Sequence, residues 1–240
     1  MGATFVLVHG AMHGGWCWSD VAARLRADGH DVHTPTLTGQ GDRRHQLTPD
    51  VELATHVDDI GDLLWFEDLT DVHLVLHSYA GILAGPVADA SADRLASITY
   101  LGAFLAEPGE CLLDVEPPAT ADRYRALAAE SGDGWRVPAS EAFLVQWGVT
   151  DPALVARVAP RLVDFPFRCV TDVVHYDPAV LAGIAQHFIR HTDPPLPSLD
   201  ASFDRAVAAG WPTHDIACGH DVMLAAPDEL AAVLAAIAQA

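Results

Sequence analysis

Residues 72–81 read VHLVLHSYAG, and this stretch decides the fold. A largely apolar run of strand length leads directly into Ser78 and then into an apolar segment, 79–89, that suits a helix. Such runs are typical of parallel strands that are buried on both faces. A serine at this junction lies at the carboxyl edge of the sheet, where the first amides and the dipole of the following helix favour negative charge. The stretch therefore predicts a buried parallel strand that exposes Ser78.

Strands and helices alternate on either side of this stretch. The helix that ends near Leu69 is predicted to begin at Thr48-Pro49-Asp50, which offers a capping residue, then proline, then an acidic first turn. This alternation predicts an α/β protein with a doubly wound, mostly parallel sheet. The other predicted strands are 4–9, 30–35, 95–101, 186–191 and 213–217, and the other predicted helices are 16–28 and 227–239.

One long segment interrupts the alternation. About 85 residues between the strands near Leu101 and Gln186 contain helical patterns and many prolines, but no convincing strand. A structureless loop of that length is rare in a compact domain. We therefore expect a helical lid at 106–181, inserted into a core formed by 1–105 and 182–240.

The composition excludes several classes of function. The 240 residues include 33 acidic and 13 basic side chains, a net charge of −20, and all of the basic ones are arginine. Chemistry that depends on lysine is excluded, and the negative charge argues against nucleic acid or an anionic membrane as partner. The four cysteines (Cys17, Cys111, Cys169, Cys218) show no CxxC spacing, and no apolar run is long enough to span a membrane. A cytoplasmic location is expected.

Two further segments give Ser78 a chemical context. HGAMHGG at 9–15 follows the first strand, and its glycines let backbone amides face a substrate oxygen. The N–H groups of Ala11 and Tyr79 are the predicted oxyanion hole. Leu76 stands where the strict G-x-S-x-G pattern has a small residue, so the geometry of the turn at Ser78 is in question.

The second segment is CGHD at 218–221, after the last predicted strand. A triad in the chain order serine, acid, histidine needs a late histidine on this sheet edge, and His220 occupies that position. Its acid is expected after the preceding strand, where Asp193 is found. Asp200 and Glu107 are alternatives.

With these segments in place, the chain resembles the small α/β-hydrolases of the plant methylesterase and hydroxynitrile lyase group, and especially their short bacterial relatives. The similar segments are HGAMHGGWCW (9–18), LTGQGDRRHQL (37–47), HVDDI (56–60), HSYAG (77–81) and GHDVMLAAPDEL (219–230). The resemblance implies an α/β-hydrolase fold, with Ser78 as nucleophile, His220 as general base, Asp193 as orienting acid, and the amides of Ala11 and Tyr79 as oxyanion donors.

Two positions separate the hydrolases of this group from its lyases. The lyases have a threonine in the oxyanion segment and a lysine directly after the catalytic histidine, whereas this chain has Ala11 and Asp221. The resemblance therefore favours a serine esterase for methyl or short alkyl esters, or lactones, of secondary metabolites. The alternatives are a decarboxylase, cyclase or lyase that uses the same triad, and a ligand-binding protein with a hydrolase fold.

Lid aromatics and Phe104 are candidates to bind a small, mostly apolar ester. The candidates are Phe104, Trp135, Phe143 and Trp147, with Phe165 and Phe167 as further choices. No cofactor and no metal are expected, since no HExxH or comparable ligand pattern occurs. The expected partners are the small ester and, as one option, a second copy of the chain in a homodimer.

Overall fold

A computed structural model describes residues 2–239 of the chain. Its centre is a parallel sheet of six strands. These are β1 (Thr4–Val8), β2 (Asp31–His33), β3 (Val72–His77), β4 (Leu95–Leu101), β7 (Ala185–His191) and β8 (Thr213–Ile216). They lie in the order β2-β1-β3-β4-β7-β8. The α/β fold with a doubly wound parallel sheet is thereby confirmed.

Helices cover the sheet in two groups. The helices are α1 (Ser19–Ala27), α2 (Leu53–Phe66), α3 (Ala84–Ser91), α4 (Leu112–Val115), α5 (Pro118–Ser131), α6 (Glu141–Gln146), α7 (Pro152–Val158), α8 (Arg168–Thr171), α9 (Pro178–Ala182), α10 (Asp200–Ala208), α11 (Val222–Ala225) and α12 (Pro227–Ile237). In one group α1 packs against α12, and in the other α2 packs against α3 and α3 against α9.

The central strands are buried on both faces. In β1 the side chains of Phe5, Val6, Leu7 and Val8 are almost completely shielded from solvent, and β3 is similar. Helices on both sides of the sheet explain this pattern, because residues of either orientation then meet apolar neighbours. This is why the two strands are continuous apolar runs in the sequence.

Some element boundaries differ from those predicted. Helix α2 begins at Leu53 instead of directly after Thr48, since Glu52 and Thr55 form a capping box there. The Thr48 carbonyl accepts a hydrogen bond from the Val51 N–H, which makes the predicted start a turn. Two predicted helices also open with a 3₁₀ segment, at Gly15–Trp18 and Ser78–Leu83.

The segment between β4 and β7 contains six helices, α4 to α9, of which α5 is the longest with 14 residues. It also contains an antiparallel ribbon that the sequence did not predict, formed by β5 (Arg136–Val137) and β6 (Phe165–Pro166). Strands of two residues carry no periodic signal. The division into a core and a lid at 106–181 stays a prediction.

Candidate active site

Ser78 lies at a sharp turn between β3 and the 3₁₀ helix that follows it. Its φ of 55° is in the left-handed region, which is strained for a serine. A Cβ on Gly10 would come within 2.8 Å of the Ser78 Cβ, so only glycine fits beside the turn. Leu76 is fully buried in β3 and does not prevent the turn from forming. The sharp turn expected at Ser78 is therefore present.

His220 contacts Ser78 directly. Its Nε2 lies 2.9 Å from the Ser78 Oγ, a hydrogen-bond distance, although 142 residues separate the two in sequence. The loop after β8 is fixed on both sides: the His220 N–H donates to the Trp147 carbonyl at 2.8 Å, and His77 Nε2 donates to the His220 carbonyl at 3.1 Å. The predicted nucleophile and base are thus brought together at the carboxyl edge of the sheet.

The His220 ring is buried among other imidazoles. Burial lowers the pKa of His220 well below 6.5, and the neighbouring His77, His191 and His13 lower it further. At neutral pH the ring is uncharged. With Nε2 accepting from Ser78, the proton of the neutral ring is on Nδ1. This is the tautomer that a general base needs.

No carboxylate contacts that Nδ1. It is buried and has no hydrogen-bond partner within residues 2–239. The Asp193 N–H donates to the Cys218 carbonyl at 3.1 Å, which places Asp193 beside the histidine loop, but its side chain is exposed. The structure therefore does not bring the Asp193 carboxylate to His220. The alternatives Asp200 and Glu107 are exposed as well.

The two predicted oxyanion donors line the same small cavity as Ser78 and His220. Tyr79 is the second residue of a 3₁₀ helix, where the backbone N–H has no partner inside the helix. The Ala11 N–H makes no hydrogen bond with any of residues 2–239. The two residues thus lie beside Ser78, and their role as oxyanion donors stays a prediction.

A buried pair that the sequence did not reveal holds the loop that carries Ala11. His13 Nε2 donates to Asp221 Oδ2 at 3.3 Å and His13 Nδ1 donates to the Ala11 carbonyl at 2.8 Å. Burial opposes charge on both groups, but the Asp221 carboxylate raises the pKa of His13 above 6.5, and His13 lowers the pKa of Asp221. The pair therefore ties the loop that carries Ala11 to the residue after His220.

The cavity in front of Ser78 has a volume of about 20 Å³. Its walls are mainly apolar and aromatic, with a few polar side chains. They include Met12, Phe104, Leu112, Glu116, Tyr124, Val137, Gln146, Trp147, Phe165, Val170, Leu196 and Ser198.

Only part of the predicted aromatic set lines this cavity. Phe104, Trp147 and Phe165 do. Phe143 instead packs behind the wall, with its ring stacked on Tyr124 and tilted against Trp147. Trp135 and Phe167 also lie outside, and the Trp135 ring is covered by the Arg136 guanidinium at 5.5 Å. Phe143 and Trp135 therefore do not line this cavity, because aromatic content alone does not tell which way a lid side chain faces.

Within residues 2–239 no three His, Cys, Asp or Glu side chains are grouped so that they could hold a metal ion. Over the same residues, no helix has the length and apolar character needed to cross a membrane.

The chain belongs to the α/β hydrolase family, whose model matches residues 5–233. A carbendazim hydrolyzing esterase from a Nocardioides species is 37% identical over 98% of this chain and 99% of its own. Methylesterase 7 from Arabidopsis thaliana is 40% identical over 42% of this chain and 40% of its own. A pyrethroid hydrolase from Sphingobium wenxiniae is 35% identical over 43% of this chain and 37% of its own. These relatives place the chain among the carboxylic ester hydrolases of the family and confirm the resemblance.

Solved structures agree on the fold. An extracellular α/β-hydrolase from a Paenibacillus species superposes with a TM-score of 0.86 at 21% identity and covers 97% of both chains. Methylketone synthase I from tomato, in complex with 2-tridecanone, superposes with a TM-score of 0.83 at 18% identity, over 100% of this chain and 98% of that one. At these identities the likeness concerns the fold alone.

Proposed function

We propose that the chain is a serine esterase that hydrolyses small, mostly apolar methyl or short alkyl esters, or lactones, through an acyl-enzyme on Ser78. The 2.9 Å contact between Ser78 Oγ and His220 Nε2 carries this proposal. The relatives named as a carbendazim esterase, a methylesterase and a pyrethroid hydrolase support an ester as the substrate. The apolar cavity walls support a substrate of low polarity.

The reaction has two halves. First, Ser78 Oγ attacks the ester carbon while His220 Nε2 takes its proton, and the N–H groups of Ala11 and Tyr79 stabilise the oxyanion. Collapse of this intermediate expels the alcohol, which leaves with the proton from His220. Water then attacks the acyl-enzyme and gives a proton to His220. When the second intermediate collapses, that proton returns to Ser78 and the carboxylic acid is released.

Asp193 is the proposed orienting acid. When His220 takes the serine proton, both ring nitrogens become donors, and a buried N–H without an acceptor is unfavourable. The backbone N–H of Asp193 is anchored on the carbonyl of Cys218, two residues before His220. The Asp193 side chain is exposed and makes no hydrogen bond among residues 2–239. We propose that this side chain rotates to accept from His220 Nδ1 during the reaction.

An Asp193→Asn variant should therefore lose about 10³- to 10⁴-fold in kcat, because an amide stabilises the wrong imidazole tautomer. Steady-state hydrolysis of p-nitrophenyl acetate measures this loss. Asp200→Asn is the matched control and should stay within about two-fold of the wild type. If Asp193→Asn is unimpaired, or if Asp200→Asn shows the larger loss, Asp193 is not the acid.

The small volume of the cavity sets a condition on the substrate. A space of about 20 Å³ accommodates about one water molecule, so an ester can bind only if wall side chains move aside. Trp147, which touches both the cavity and the His220 loop, lies in this wall. A small ester requires the least displacement, which supports a methyl or short alkyl leaving group.

Covalent labelling and isotope incorporation test the proposed chemistry together. A fluorophosphonate should modify Ser78 stoichiometrically, as peptide mass spectrometry would show. In ¹⁸O-labelled water, the carboxylic acid product should carry one heavy oxygen, because water cleaves the acyl-enzyme. A product without the label would indicate a lyase, cyclase or decarboxylase reaction. Labelling at a residue other than Ser78 would contradict the assigned nucleophile.

The proposed setting is a reducing cytoplasm. All four cysteines are free, and three of them are buried. The net charge of −20 supports a small molecule, not nucleic acid, as the partner.

A further inference from the structure

One carboxyl group in the cavity wall has no part in the mechanism above. Glu116 follows helix α4 directly and lines the same cavity as Ser78 and His220. Only 6% of this residue is exposed, and its Oε2 is buried without a hydrogen-bond partner in the described chain. Carboxyl groups are rarely left in this condition, because burial without a partner is unfavourable.

The surroundings of Glu116 do not compensate for its burial. Leu112, Phe104 and Phe165 contribute apolar surface to the same cavity, and among residues 2–239 no arginine forms an ion pair with Glu116. Arg123, on the neighbouring helix α5, donates to Gln146 Oε1 at 2.7 Å instead. Burial raises the pKa of Glu116 to about 7, although a hydrogen bond with the Ser198 side chain acts to lower it. Burial therefore favours the neutral form of this carboxyl more than in an exposed glutamate.

Two other roles for Glu116 do not fit its position. The His220 Nδ1 that needs an acceptor faces Gly102 and His191, since a Cβ on Gly102 would lie 3.4 Å from it. The pKa of His220 is lowered by burial and by His77, His191 and His13, and Glu116 has no part in this shift. A purely structural carboxyl would be expected to have both oxygens paired, whereas Oε2 is buried without a hydrogen-bond partner in the described chain.

We propose that Glu116 is a specificity residue that accepts a hydrogen bond from an N–H or O–H group of the substrate. The preferred ester would then combine an apolar, ring-sized body, which suits the walls of Tyr124, Trp147 and Phe165, with one donor group directed at Glu116 Oε2. This inference deepens the proposed esterase function and rests on it. A donor would satisfy the orphaned oxygen and would favour its ionised form.

A buried, unpaired carboxyl such as Glu116 can discriminate strongly between two similar ligands. A site with a buried polar group discriminates against an analogue that lacks the complementary group, because binding that analogue leaves the polar group unpaired. An isosteric pair of ligands that differ only by an amino or a methyl group isolates this effect. Hydrogen bonds to charged groups correspond to about a 10- to 100-fold difference in affinity.

The test measures binding without turnover. Isothermal titration calorimetry of the Ser78→Ala protein would compare the ortho, meta and para methyl aminobenzoates with the corresponding methyl toluates. At least one aminobenzoate should bind about 10-fold or more tightly than its toluate. In Ser78→Ala/Glu116→Met the ratio of the two affinities should fall to about one. In Ser78→Ala/Glu116→Gln the ratio should be intermediate. Ser78→Ala/Leu112→Met, which alters the same wall but keeps the carboxyl, should retain it.

The outcomes separate this inference from the esterase proposal. The role of Glu116 would be overturned by any of three results. The affinities could be equal within every pair, the preference could survive Glu116→Met, or none of these esters could bind. Hydrolysis of p-nitrophenyl acetate by the wild type is measured independently and bears only on the esterase function. Because Glu116→Gln keeps the shape of the side chain, it tests the role even if the methionine variant folds poorly.

Discussion

Replacing Ser78 by alanine should lower kcat for p-nitrophenyl acetate by about 10⁴-fold or more. The alanine side chain has no Oγ, so neither the acyl-enzyme nor the contact with His220 Nε2 can form. The residual rate would come from the oxyanion amides and from binding alone. Burst and steady-state kinetics with p-nitrophenyl acetate measure the loss, and the release of nitrophenol should show no burst in the variant.

Controls make this result specific to Ser78. Ser91 is also buried and lies on α3, outside the cavity, so Ser91→Ala should retain activity within about an order of magnitude. His220→Ala should lose about as much as Ser78→Ala, and the double variant should lose little more, because the two groups act as a unit. Unchanged turnover in Ser78→Ala would rule out the proposed nucleophile.

The parts of the site that the sequence predicted share one property. Ser78 and His220 each follow a strand of recognisable pattern, and parallel strands bring their carboxyl ends to one edge. Their contact across 142 residues was therefore predictable from local strings alone. Leu76 departs from the usual small residue, yet β3 buries it completely and the turn still forms.

Other parts depend on which way a side chain points, and no local pattern encodes that. His13 and Asp221 form their pair across 208 residues, and only the packed structure places them together. Glu116 stands between an apolar turn and two prolines, where a surface position is the ordinary expectation. Phe143 and Trp135 were assigned to the cavity by residue type, and the structure directs them elsewhere.

The buried histidines also predict that acid will unfold this protein. Burial lowers the pKa of His9 to about 3 and that of His56, His77 and His191 to about 4, so all four are neutral in the folded state. In the unfolded chain they take up protons below about pH 6.5. Because the folded pKa values are lowered, the stability they contribute is present above 6.5 and is lost as the pH falls toward 4.

The expected effect is large. At about pH 5.5 these four groups together should reduce the free energy of unfolding by about 5 kcal/mol relative to neutral pH. A domain of ordinary stability has about 5–15 kcal/mol in total, so unfolding should follow not far below this pH. Urea titrations followed by tryptophan fluorescence at a series of pH values measure the change. About 0.15 M salt should be present, because acidification also relieves the self-repulsion of the net charge of −20, which acts in the opposite direction.

Single substitutions assign the effect to particular rings. His191→Leu removes one of these proton-binding sites, and His220, whose pKa burial also lowers, adds a fifth site, so the slope of the unfolding free energy against pH should fall by about a fifth or less. Both ring nitrogens of His191 are buried without partners in the described chain, so leucine leaves no acceptor or donor unsatisfied. His45→Leu, at an exposed position, should leave the slope unchanged. The assignment would be contradicted if the free energy of unfolding stayed constant between neutral pH and about pH 5.5. It would also be contradicted if the imidazole resonances of these four residues titrated near 6.5 in the folded protein.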